Sequence, residues 1–130
     1  MNEKAKVLIS KQNEQIYNHL VQTFNLPVFQ DDVSESERPE KLNLFLIIYG
    51  DLQQGENQGN MRQDVFITYL AENSRSLETD QLDIISSITK INAMKFVRTE
   101  RDRVQKLDTD EYVDRVNFIF SRSIRYECSI

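Results

Sequence analysis

The segment 111–126 alternates in side-chain character along its length: Tyr112, Val116, Phe118, Phe120, Ile124 and Tyr126 fall on one face, Arg115, Asn117, Ser121, Ser123 and Arg125 on the other. Period-two alternation marks a half-buried strand. A strand of that length cannot stand alone, because each residue brings a backbone donor and acceptor that must be paired. The chain supplies a neighbour in the charged run 94–105, connected through Lys106-Leu-Asp-Thr-Asp110. The two read as a long antiparallel hairpin, with an apolar face that needs cover from elsewhere in the chain.

That cover is found upstream. Between Asn2 and Phe24 the residues Ile9, Ile16, Leu20 and Phe24 recur at helical spacing, with Leu8, Tyr17 and Val21 beside them and Lys, Glu and Gln opposite. This is an amphipathic helix of several turns, stopped ahead of Pro27 because the residue before a proline is pushed toward extended geometry. Residues 28–30 follow as a short strand. A second helix is expected after the turn-rich 73–76, with a stripe of Leu82, Ile85, Ile88 and Ile91, Thr79 as its N-cap and Asp80 in its first turn. The run 42–49 is nearly continuous in Leu, Phe and Ile, as expected of a central strand covered on both faces. In 61–72, Met61, Val65, Ile67, Tyr69 and Ala71 share a face on which Gln63 is the exception, while Arg62, Asp64 and Thr68 point the other way beside Phe66 and Leu70. The resulting order, α, β, β, loop, β, α, β, β, predicts an α+β fold: an antiparallel or mixed sheet of about four to five strands packed with two helices and closed by a long C-terminal hairpin.

At 130 residues the chain fits a single domain, 1–130. With 39% hydrophobic and 28% charged residues it has the composition of a soluble globular protein, and its longest apolar run, 44–49, is far too short to span a membrane. The N-terminus has neither the apolar stretch nor the small-residue cleavage site of a secretory signal, which predicts a protein made and kept in the cytoplasm of its cell. A net charge of −5 argues against a general phosphate-gripping role, since nucleic-acid binders cluster Lys and Arg. A single cysteine, Cys128, allows no internal disulfide and reads as a small hydrophobe rather than a nucleophile.

Two stretches have loop composition. The segment 31–41 carries five carboxylates against two bases and contains Pro39. All three glycines, Gly50, Gly55 and Gly59, fall in the eleven-residue polar segment 50–60, which reads as a flexible loop far longer than a tight hairpin turn. It lacks the Gly-Lys-Ser/Thr ending of a P-loop and opens no helix, so phosphate binding is not expected. Its Gly50, Asp51, Gln54, Gly55, Glu56 and Gly59 are the candidate partner-binding residues, ordered on contact with another subunit or protein. The charged hairpin offers a second surface: Arg98, Arg101, Arg103 and Arg115 either pair within a solvated face or meet the carboxylates Asp31, Asp32, Glu35 and Glu37 of a neighbouring subunit.

Catalytic and metal chemistry find no support. His19 has no local carboxylate or nucleophile and reads as structural. The cluster Asp108, Asp110, Glu111 and Asp114 lacks the glycine and the terminal Glu of a calcium loop. No catalytic residue, metal or cofactor is expected, and the chain is read as a non-enzyme.

The order of elements, the size, and the closing strand Asp114-Arg-Val-Asn-Phe-Ile-Phe-Ser-Arg-Ser-Ile-Arg-Tyr126 resemble the tail terminator, or tail-to-head joining, proteins of long-tailed phages. The resemblance covers most of the chain and rests on no short motif. It implies a structural virion protein of the tail and neck, made in the host cytoplasm, that forms a homohexameric ring. The ring would sit on the last ring of tail-tube protein, stop tube growth, and present a surface to the head–neck connector. DNA would pass through its lumen without specific binding, and no membrane is involved. The competing reading is a small acidic phage-encoded regulatory or inhibitor module whose surface mimics nucleic acid.

Overall fold

The structure, a computed structural model, describes residues 1–33, 39, 41–72, 74–106 and 109–127. Two helices, α1 (Glu3–Phe24) and α2 (Leu77–Thr89), lie against a mixed sheet of five strands: β1 (Val28–Gln30), β2 (Leu44–Gln54), β3 (Asn60–Ala71), β4 (Met94–Gln105) and β5 (Tyr112–Arg125). The sheet order is β1-β2-β3-β5-β4, antiparallel except for the β1–β2 pair. The α+β fold and the C-terminal hairpin are as expected from sequence.

α1 buries Ala5, Gln12, Ile16 and Leu20, a stripe at helical spacing. It ends at Asn25, whose left-handed backbone (φ 53°) turns its N–H onto the Val21 carbonyl at 2.9 Å. The Pro27 carbonyl then accepts the Phe45 N–H, and the Asp31 N–H reaches the Ile47 carbonyl, each at 2.9 Å, so the parallel β1–β2 contact is extended at both ends. Ile16 and Leu20 meet Phe45, Ile47, Val65, Ile67, Tyr69, Val116, Phe118 and Phe120 of the sheet and Leu77, Ile84 and Ile88 of α2 in one core. Each of these large apolar side chains contributes on the order of 1.5–3 kcal/mol by leaving water.

Four expectations are corrected. First, β2 is not covered on both faces: Phe45 and Ile47 are buried under the helices, whereas Leu46 is half-buried and Ile48 is 37% exposed on the opposite side. Second, the stripe of α2 is Leu77, Ile84 and Ile88, joined by Ile91 just past the helix end, while Leu82 is 65% exposed. The cap position is Ser76 rather than Thr79, whose hydroxyl donates to the Ser76 carbonyl at 3.0 Å from within the first turn. Third, Tyr112 lies exposed at the start of β5, not in the core.

The fourth correction concerns the glycine segment. Gly50–Gln54 belongs to β2 and Asn60 opens β3, so the connection is a hairpin turn of residues 55–59. The turn is closed by its own hydrogen bonds. Gly55 N–H donates to the Asn60 carbonyl at 2.8 Å and Asn60 N–H to the Asn57 carbonyl at 3.1 Å. The Gln54 amide donates to the Asn57 and Asn60 carbonyls at 3.0 and 3.2 Å. Gly59 has φ +89°, which only glycine adopts at low cost. Gly50 sits where the β2–β3 register shifts between Tyr49 and Leu52, and serves close approach. A Cβ there would stand 2.9 Å from the Asp64 backbone oxygen and 3.0 Å from the Phe66 ring. Gly50→Ala is therefore expected to destabilise the fold by about 1–3 kcal/mol, a loss to be read in chemical denaturation.

Candidate functional site

The most unusual buried group is Arg122, 2% exposed on the helix-facing side of β5. It stands directly opposite Gln63 of β3. The Gln63 side-chain oxygen Oε1 accepts from Nε at 2.9 Å and from Nη2 at 2.7 Å. From α1, Asn13 Oδ1 accepts from Nη1 at 2.7 Å and Gln12 Oε1 at 3.5 Å. The Tyr49 ring lies 5.1 Å from the guanidinium carbon, within cation–π reach. The remaining amide groups are anchored in turn: Gln63 donates to the Gly50 carbonyl at 2.9 Å, and Gln12 to the Asn92 carbonyl at 2.8 Å.

Among the described residues no carboxylate pairs with this cation. Burial lowers its pKa, yet an arginine stays protonated, so its charge is stabilised by neutral acceptors and a π face alone. Burial likewise raises the pKa of Tyr49, against the opposing pull of Arg122, and the Tyr49 hydroxyl is buried with no partner of its own. The arrangement ties α1, β2, β3 and β5 together without forming a cavity or a reactive pair. Gln63 stood out in the sequence as the polar exception on its face. Arg122 carried the matching signal on β5, at the same parity as Val116, Phe118, Phe120 and Ile124, and sequence reasoning missed it.

Among the described residues, no helix lies on the opposite face of the sheet. A small cluster of Leu42, Leu44 and Val113, with Phe29 and Leu70 against it, lies beside an open groove of about 660 Å³. Leu44, Leu46, Ile48, Leu70 and Val113 form its apolar floor. Asp32, Glu100, Arg101, Asp102, Lys106 and Arg115 bring both signs of charge to it.

The structure places the expected interface residues as follows. Arg115 Nε donates to Asp102 at 2.9 Å across the β4–β5 hairpin, a contact that lowers the Asp102 pKa and raises that of Arg115. Arg103 and Arg101 approach Asp114 at 3.1 and 3.8 Å, and Arg98 reaches Glu100 along its own strand at 3.1 Å. All four arginines thus have carboxylates within the chain. Asp32 caps the Val33 N–H at 2.8 Å and shares the groove with Arg101 and Arg115; Asp31 is exposed with a left-handed backbone (φ 67°). Glu35 and Glu37, like Asp108 and Cys128, lie outside the described residues. Asp51, Gln54 and Glu56 are exposed on the β2–β3 arm, where Gly50, Gly55 and Gly59 shape the backbone. His19 joins the two helices, its Nδ1 donating to the Ser87 carbonyl at 3.0 Å.

One clamp holds the groove end of the sheet. Glu72 accepts the Leu42 N–H at 2.8 Å and the Lys106 ammonium at 3.0 Å, and its own N–H donates to Asn43 Oδ1 at 2.9 Å. The start of β2, the end of β3 and the β4–β5 turn meet at this carboxylate.

Among the described residues, no group of three or more His, Cys, Asp or Glu could hold a metal ion, and no helix is long and apolar enough to cross a membrane. No protein-family model matches the chain, and no curated protein matches it.

Two measurements check these assignments. Gln63→Leu removes the one oxygen that accepts two hydrogen bonds from a buried charge and is expected to cost about 3 kcal/mol or more, whereas adding Arg122→Met to it restores part of that stability. For Glu72, the Leu42 N–H first and Lys106 second hold the pKa below its ordinary 4.5. Its contribution is thus complete above that pH and is lost as pH falls through the lowered value. Glu72→Gln should flatten the acid limb of stability below pH 4.5 without changing its shape near neutrality.

Proposed function

We propose that this chain is a structural phage protein of the tail-terminator kind, which assembles with copies of itself into a ring that caps the tail tube and joins it to the head–neck connector. The observation that carries the reading is the one-sided cover of the sheet. Both helices lie on one face, and on the other Ile48 is 37% exposed and Leu46 and Leu70 are half-buried along the groove. A domain that leaves such a face uncovered is built to meet another surface.

The acidic balance, −5 overall, suits a ring through which DNA passes without being held. The element order, with two helices, a mixed sheet and a closing hairpin, agrees with the resemblance drawn from sequence.

Electron microscopy of particles assembled without this protein tests the reading. Overlong tails lacking heads are the expected result, and normal virions would overturn it.

A further inference from the structure

We infer that Tyr126 and Glu127, just past β5, form a releasable latch on the β2–β3 arm, and that the Asn2 carboxamide is its catch, holding the latch when it is closed and capping α1 when it opens.

Three hydrogen bonds close the latch, each on a different part of the fold. The Tyr126 N–H donates to the Gly59 carbonyl at 2.8 Å, the Tyr126 hydroxyl to Gln54 Oε1 at 3.0 Å, and the Glu127 N–H to Asn2 Oδ1 at 2.7 Å. The Gln54 contact carries the latch into the turn, because the amide nitrogen of the same side chain donates to the Asn57 and Asn60 carbonyls. Gln54 is held at both ends, one of them by a residue 72 positions further along the chain. Gln54, Gly55, Glu56 and Gly59 are among the residues expected to meet a partner, so the latch governs the order of that segment.

Asn2 has two possible uses for one oxygen. It stands at the N-cap of α1, where an asparagine side chain ordinarily accepts the N–H of the second or third helical residue, here Lys4 or Ala5. It makes no such bond: its backbone is left-handed (φ 59°, ψ 31°) and its Oδ1 is turned to Glu127. A capping asparagine takes extended rather than left-handed geometry, so latch and cap are alternative states of the same residue. Releasing Glu127 frees Oδ1 to swing onto the first turn of α1, which offsets part of the lost bond. The contacts to Gln54 and Asn2 lie at the exposed margin of the fold, where protein partners are readily exchanged for water. Two nearly balanced states of this kind respond to any contact that favours one of them. Asn2, Gly59, Arg125 and Glu127 also wall a cleft of about 1050 Å³ between the helix start and the turn, and opening the latch removes one of its walls.

Residue-resolved hydrogen exchange on the full chain tests the latch. Glu127→Pro deletes the N–H that Asn2 holds. It should speed exchange at Tyr126, Gly55 and Asn60 about fivefold and slow it at Lys4 and Ala5 by a similar factor, as Asn2 takes up the cap. Adding Asn2→Ala to it should abolish the slowing at Lys4 and Ala5 while the arm stays loose. Asn2→Ala alone should speed exchange at Glu127 and leave Lys4 and Ala5 as in the wild type, since the closed state has no side-chain cap to lose. Three results would each overturn the inference: unchanged exchange at Lys4 and Ala5 in Glu127→Pro, faster exchange there in Asn2→Ala alone, or an arm undisturbed by Glu127→Pro.

Discussion

The twelve-pair antiparallel register of β3 on β5, from Asn60 opposite Arg125 to Ala71 opposite Asp114, sets the plan of the molecule. It aligns Val65, Ile67 and Tyr69 with Phe120, Phe118 and Val116, and so builds the surface on which both helices rest. A slip of one residue would turn every one of these side chains to the other face. The Gln63–Arg122 pair opposes a slip of two residues, which would keep the apolar face but leave a guanidinium buried without its acceptors. The same pair reaches α1 through Gln12 and Asn13, so the docking of the first helix depends on the register of two strands far along the chain.

The helix layer covers only one side, and the two sides of the sheet have different tasks. On the covered side, apolar packing supplies stability around a single polar node. On the open side, charges are paired locally: Asp102 with Arg115, Asp114 with Arg103 and Arg101 at the hairpin, and Glu72 with Lys106 at its base. Of these, the exposed Asp102–Arg115 pair adds little to stability, about 0–1 kcal/mol. The effect of the hairpin charges is on shape and solubility: β4 is an edge strand with a bulge between Phe96 and Arg98 and a nearly unbroken row of charges, features that discourage strand-to-strand aggregation.

Where sequence reasoning went astray, one physical cause recurs: polarity reports contact with water, not the geometry of the backbone. Gly50–Gln54 reads as loop because it is polar, yet it is strand, polar because residues 51–54 stand exposed to solvent. The apolar run 42–49 reads as buried on both faces because Leu46 and Ile48 match Phe45 and Ile47 in character, although only the latter two are covered. In α2, Leu82 and Ile84 offer competing frames for the stripe, and the shape of the core beneath selects Leu77, Ile84 and Ile88. Arg122 was passed over because an arginine in an apolar alternation looks like a lapse in the pattern until its partner across the sheet is known.

The sequence by itself determined the type and order of nearly every element, the two-helix α+β class, the C-terminal hairpin and the core faces of β3 and β5, because periodicity of 2 or 3.6 is a local property of the chain. The tertiary structure alone decided which face of the sheet the helices took, and hence that Leu46 and Ile48 stay open to solvent. It also brought Arg122 to Gln63, Gln12 and Asn13, residues 59 to 110 positions away in sequence. Those outcomes depend on strand order and register, which arise from contacts between distant segments and leave no local trace in the chain.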